Sequence, residues 1–206
     1  MSRKGIIAII SGFSGAGKGT VVNELVKKYG YAISISATTR QPREGEKEGI
    51  NYFYKTREEF EEMIKNDELI EYAEYVGNYY GTPKDYVFDK INNGIDVLLE
   101  IEMQGALKVK KAFPEVSLIF TTPPSYEELR RRLEGRGTEA KDVIDKRMAR
   151  AIEECSYMDS YDYVMVNDDL DKCVTEMHNL LQALHYSRDN QEEFIEAVKQ
   201  DFKSAV

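Results

Sequence analysis

The chain has 206 residues, 42% hydrophobic and 32% charged, and a formal net charge of −9. Such a length fits one globular domain with room for small insertions, and such a composition supports a real core. The acidic balance argues against nucleic acid as a partner, so anionic ligands would have to find basic residues gathered locally. No window approaches the roughly 18 uninterrupted apolar residues of a membrane span, so no membrane partner is expected.

In chain order, the basic then apolar start "MSRKGIIAII" enters a Gly-rich loop instead of a cleavage site, and reads as a first strand rather than a signal segment. The loop "SGFSGAGKGT" (11–20) lies between that strand and a helix, "TVVNELVKKYG", stopped by Gly30. Gly12, Gly15 and Gly17 permit backbone angles and close approaches that a Cβ forbids. A concave row of N–H groups from Gly12, Phe13, Ser14, Gly15, Ala16, Gly17, Lys18, Gly19 and Thr20, plus the helix N-terminus, makes an anion site. Lys18 would reach the β- and γ-phosphates of ATP as a point charge. One letter is unusual: Gly19 stands where a hydroxyl normally follows the Lys, and the hydroxyl is postponed to Thr20.

Farther on, "YAISISA" (31–37), "IDVLLEIE" (95–102), "VSLIFTT" (116–122) and "YDYVMVN" (161–167) read as strands. Their β-branched and aliphatic density suits a parallel sheet covered on both faces. "PKDYVFDKINNG", "QGALKVKKAF" and "SYEELRRRLEGRG" read as the helices between them, and the pairs Ser125/Glu128 and Thr56/Glu59 have capping-box spacing. The alternation predicts a three-layer α/β domain. Two segments break the rhythm: 38–82, rich in Tyr, Gly and charge, and 126–157, basic and helical. They read as insertions, leaving a core of about 1–37, 83–125 and 158–187 and an extra amphipathic helix at about 189–204. Cys155 and Cys173 sit in no metal or redox spacing; they fit a reducing cytoplasm, as small apolar side chains. His178 and His185, two helical turns apart, are expected on a partly exposed helix face.

The ordered set "SATTRQPREGEKEGINYFY" (36–54), "IEYAEYVGNYYGTP" (70–83), "LEIEMQG" (99–105), "RRLEGRG" (131–137) and "VNDDLD" (166–171) resembles the guanylate kinase family from about residue 5 to 185. The resemblance implies a P-loop NTPase-like domain with an inserted GMP-binding subdomain (38–82) and a helical lid (126–157). It implies transfer of the ATP γ-phosphoryl group to GMP, and also to dGMP, with Mg²⁺. Arg40 and Arg43 flank Pro42, so two guanidinium forks can face one phosphate, with Tyr52 and Tyr80 as phenolic donors; by the resemblance all four grip the phosphate of GMP. Glu71, Ser36 and Thr82 match the family's guanine pocket, where a carboxylate suits the adjacent N1–H and N2 donors of guanine. Arg132 and Arg136, spaced i, i+4, and Arg147 from the next helix would close over the phosphates, with Arg136 and Arg147 spanning donor and acceptor. Asn167 matches a position near the adenine of ATP, although a plain turn residue remains an alternative.

Glu100 and Glu102 stand where the family commonly has Asp; Glu102 is expected near the acceptor nucleoside, with Glu100, and Thr20, touching Mg²⁺ only through water. Two other readings stay open: a protein-binding module of the same fold, and a kinase whose acceptor is a sugar phosphate. ATP turnover separates the first, and the guanine-matched trio argues against the second. Oligomeric state is left open.

Overall fold

The computed structural model describes residues 3–75, 77–135, 137 and 140–205. Its central sheet is built from β1 (Ile7–Gly12), β2 (Ala32–Ile33), β7 (Val97–Glu100), β8 (Ser117–Thr122) and β9 (Tyr163–Val166). The order is β2-β7-β1-β8-β9, and every pairing is parallel. Helices lie on both faces, as the apolar strand runs require: along β1, Ala8 and Ile10 point into one core while Ile9 points into another.

The first of those cores is formed with α1 (Lys18–Tyr29) and α7 (Leu170–Leu184), through Val21, Val22, Leu25, Val174, Met177 and Leu181. The opposite one is formed with α3 (Lys84–Asn92) and α4 (Met103–Ala112), through Val87, Ile91, Ala106 and Val109. A third core lies where α5 (Tyr126–Gly135) and α6 (Lys141–Glu154) bring Leu129, Leu133, Ile144 and Met148 against Phe13, Ala16 and Phe120. Thus the base of the glycine loop packs on the basic helix pair.

A second sheet of four short strands has the order β4-β3-β6-β5, from β3 (Ala37–Thr38), β4 (Phe53–Tyr54), β5 (Leu69–Tyr75) and β6 (Asn78–Pro83). Phe60 of α2 (Arg57–Lys65) closes its small core with Ala37 and Leu69. Thr56 caps α2 with a complete capping box to Glu59, as its spacing predicts. At Ser125 only half the box forms: Glu128 N–H donates to the Ser125 hydroxyl, while the Glu128 carboxylate turns to Arg131 and Arg132.

Three expectations change. The run 31–37 is not one strand: β2 joins the central sheet and β3 the second, so the chain leaves one sheet for the other midway. His185 is buried, not half-exposed; its Nδ1 accepts from Arg3 Nε at 2.8 Å and its Nε2 donates to Asp96 at 2.9 Å. His178 stacks on Tyr29 at 3.7 Å. Only Cys173 is the buried apolar side chain expected, its thiol pushed up to about 11 by burial, while Cys155 is exposed. The chain closes with α8 (Glu192–Ser204). Among the described residues no helix is long and apolar enough to cross a membrane.

Candidate active site

The carboxyl ends of β1 and β7 are neighbours, with Ile10 level with Glu100. Their following helices, α1 and α4, lie on opposite faces of the sheet. A crevice opens where connections diverge in this way, and α/β proteins bind ligands there.

The loop between β1 and α1 holds its shape through glycine. Gly17 caps α1 at φ 87°, and a Cβ there would lie 2.5 Å from Asn167 Nδ2. Gly12 has φ 135°, and a Cβ there would clash with the Thr121 carbonyl oxygen. Lys18 folds across the loop, its Nζ donating to the carbonyls of Gly12 (2.9 Å) and Phe13 (3.0 Å). Phe13 and Ala16 face inward, Phe13 edge-on to Phe120 at 4.9 Å, while Ser14 and Thr20 are exposed. Asn167 is buried beneath the loop and donates from Nδ2 to the Ala16 carbonyl at 2.9 Å.

Two adjoining depressions of about 530 and 440 Å³ share Glu102, Met103, Arg150 and Glu154. The larger adds Gly12, Ser14, Lys18, Glu100 and Arg147. Arg147 reaches from α6 to the loop, Nη1 lying 3.4 Å from the Ser14 hydroxyl. Glu100 keeps one side open to water, while burial of its carboxylate pushes its carboxyl upward against the pull of Lys18. Its Oε2 would lie 3.4 Å from a Cβ on residue 19, an ordinary contact, so the Glu100 carboxylate stands beside Gly19.

On the second sheet, Thr82 Oγ1 donates to Glu71 Oε1 at 2.8 Å. Burial pushes the Glu71 carboxyl up; the Thr82 bond opposes that, and nearby Glu102 adds to it. The other oxygen, Oε2, would lie 3.6 Å from a Cβ on Gly105, which places Glu71 against the first turn of α4 beside the cleft. Ser36 lies just before β3, its carbonyl accepting from Phe53 N–H.

Four of the phosphate candidates gather around one loop. The Arg40 guanidinium lies over the Tyr52 ring at 5.3 Å, and Tyr52 meets Tyr80 edge-on at 6.0 Å. Arg40 Nη2 donates to both oxygens of Glu46, at 2.9 and 3.0 Å. The same carboxylate accepts from Arg43 N–H (2.8 Å) and the Tyr54 hydroxyl (2.8 Å). Arg40, followed by the Arg43 N–H bond, holds the Glu46 carboxyl down to about 2.

Two other candidates lie differently. Arg132 Nε donates to Glu128 at 2.6 Å, one turn back on its own helix, and Arg136 lies outside the described residues. Glu46, Arg150 and Glu154 are cleft or clamp residues that sequence reasoning missed. Arg150 bridges Glu154 (2.8 Å) and Glu102 (3.3 Å). A signal was present: Arg147 and Arg150 are spaced i, i+3 and Glu154 follows four residues on, so all three share one helix face. Among the described residues no group of three or more His, Cys, Asp or Glu could hold a metal ion.

The guanylate kinase family model matches residues 4–184. A guanylate kinase of Bacillus cereus is 53% identical over 190 residues, covering 91% of this chain and 93% of that protein. One of Shouchella clausii is 54% identical over 188 residues, covering 90% and 91%. The crystal structure of guanylate kinase from Anaplasma phagocytophilum aligns with a TM-score of 0.67 at 38% identity, over 90% of this chain and 89% of that one. A glycine loop with its Lys at the crevice, a Glu–Thr pair beside it and an Arg–Tyr clamp, in a chain matched so nearly end to end, place this protein in the guanylate kinase family.

Proposed function

We propose that the chain transfers the γ-phosphoryl group of ATP to GMP, and to dGMP, giving ADP and the nucleoside diphosphate. The observation that carries this is the position of Glu71 and Thr82 beside the same crevice that holds Lys18. Guanine offers N1–H and the N2 amino group as adjacent donors, which an ionised Glu71 accepts. Adenine has an acceptor at N1 and no 2-amino group, and would leave the carboxylate partly unpaired. A site of this kind can discriminate by about 10⁴ or more.

The nucleophile is a phosphate oxygen of GMP, ionised at neutral pH because its second pKa is about 6, so no general base is needed. It forms the new bond to the γ-phosphorus as the bond to the bridging oxygen breaks and ADP leaves with that electron pair. Catalysis then consists of bringing two polyanions together. Lys18 and the loop N–H groups hold the donor, Arg40, Arg43, Tyr52 and Tyr80 hold the acceptor phosphate, and Arg147 stands over the loop. We assign Arg136 and Arg132 to the donor phosphates; Arg132 must leave Glu128 to serve there. Asn167 acts on the donor by bracing Ala16.

The oxygen donors at hand, the exposed Thr20 hydroxyl and the Glu100 carboxylate beside Gly19, suit Mg²⁺ carried in by the nucleotide with most of its waters retained. Mg²⁺ would neutralise charge on the phosphates. A cytoplasmic setting, where both nucleotides are abundant, goes with this reading.

The test is ADP production from Mg·ATP with GMP, dGMP, AMP, IMP and UMP as separate acceptors. Fast turnover with GMP and little with AMP is expected. Folded protein that binds GMP yet turns over none of them would overturn the enzyme reading in favour of a binding module.

A further inference from the structure

Glu102 is an acid that its own helix does not hold. It stands at the N-cap position of α4, yet its side chain accepts no capping hydrogen bond and is 61% exposed. A Glu side chain in that state turns about three torsions, and ordering it has an entropic cost. What orients it comes from another element. Arg150 of α6 donates from Nη2 to Glu102 Oε2 at 3.3 Å.

Arg150 is itself anchored. Its Nε donates to Glu154 Oε1 at 2.8 Å, one turn on along the same helix. Glu154 is an adverse place for a carboxylate on two counts. It is buried, and it stands at the C-terminal end of α6, where the helix dipole disfavours an anion. Burial pushes its carboxyl up, and Arg150 and then Lys18 pull against that. A charge kept there fixes the guanidinium. The fork is planar and rigid, so fixing Nε also fixes the direction in which Nη2 points.

The chain of contacts Glu154–Arg150–Glu102 thus runs from α6 to the start of α4, along the wall common to both depressions. Arg150 and Glu102 are both mostly exposed, and a surface pair of this kind adds little to stability. Its effect is on where a charge stands. Glu102 lies close enough to Glu71 to add to the upward push on that carboxyl. We propose that Arg150, braced by Glu154, is a positioning residue of the acceptor site, holding the Glu102 carboxylate in the cleft beside Glu71 to meet the acceptor nucleoside. This rests on the reading of GMP as acceptor. Arg150 acts through Glu102, whereas Arg147, three residues back on the same helix face, reaches the glycine loop directly.

The test is steady-state kinetics of the full chain with GMP and ATP varied in turn, beside calorimetric titration with GMP. Unaltered protein that neither binds nor phosphorylates GMP overturns the acceptor reading and the inference with it. Active protein whose variants behave like it overturns the inference alone. Arg150→Ala should raise the KM and the dissociation constant for GMP about tenfold, while kcat and the KM for ATP change less than about threefold. Arg150→Lys keeps the charge but loses the two-armed fork, and should recover only part of the loss. Glu102→Gln alone should also raise the KM for GMP. Adding Arg150→Ala to it should change that KM no further, because the arginine acts through the carboxylate. Additive effects, or a loss that falls on kcat and the KM for ATP, would make Arg150 a brace for α6 and Arg147, and the inference fails. A lowered Tm with an unchanged KM for GMP has the same meaning.

Discussion

Glu46 accepts two hydrogen bonds from the guanidinium of Arg40, at 2.9 and 3.0 Å, and a third from the backbone of Arg43. One carboxylate thus holds the Arg40 guanidinium and the Arg43 backbone, the two arginines proposed to grip the acceptor phosphate, and the Tyr54 hydroxyl closes the fourth contact. On the proposed function a carboxylate beside the acceptor phosphate is electrostatically adverse, so its value there would lie in holding the Arg40 fork in place. Glu46→Gln keeps the shape and removes the charge. The KM for GMP should rise roughly tenfold, with a smaller change in kcat and in the KM for ATP. Steady-state kinetics with each substrate varied in turn checks this; equal effects on both KM values would indicate general unfolding of the loop.

The Glu71 carboxyl is raised by burial, so its charge is held at a cost, which the guanine of the proposed acceptor would offset. Between the unfolded and the folded pKa the native state binds more protons than the unfolded chain, and stability without ligand therefore falls as pH rises through that window. GMP affinity runs the opposite way, because only the ionised carboxylate accepts both guanine donors. Glu71→Gln should leave the unliganded protein at least as stable, remove the Glu71 part of the acid-side pH dependence of GMP binding while leaving that of the phosphate with its second pKa of about 6, and weaken GMP by about 100-fold. Calorimetric titration with GMP at several pH values, beside thermal unfolding without ligand, measures both signs.

Lys18 donates to the carbonyls of Gly12 and Phe13, so it spans the loop. Lys18→Ala should lower kcat about 10³-fold or more, within the range by which phosphoryl transfer depends on a placed cation. GMP binding should survive nearly intact, because the residues proposed to hold GMP lie on and around the second sheet. Equal loss of turnover and of GMP affinity would contradict the division of roles.

Gly17 stands at φ 87° with Asn167 directly over the position a Cβ would take. Gly17→Ala should therefore cost about 1–3 kcal/mol through backbone strain, and also displace Asn167 from the Ala16 carbonyl. The expected signature is a lowered Tm together with a raised KM for ATP. An alanine variant with unchanged Tm and ATP kinetics would show that the loop tolerates another backbone path.

Much of the fold was legible because its signals are local. The apolar runs at Ile6–Ile10 and Val97–Leu99 can be buried only in a sheet covered on both faces, and Gly30 and Thr56 mark helix ends by their own chemistry. The run 31–37 misled for the same reason: each residue favours a strand, and nothing local says that the chain changes sheets between Ile33 and Ala37. Arg132 shows the converse, since its match to a phosphate ligand could not reveal the competing carboxylate of Glu128 at 2.6 Å.

By itself, then, the amino-acid sequence determined the alternation of strand and helix, the glycine loop between the first strand and helix, and the striped last helix, because spacing along a regular backbone decides which side chains share a face. Tertiary structure alone decided that Glu46 locks Arg40, that Asn167 braces the loop from below, that His185 is buried between Arg3 and Asp96, and that the stripe on α8 is left bare. These are contacts between residues brought together by folding, and their energies depend on burial and distance, which no one-dimensional pattern contains.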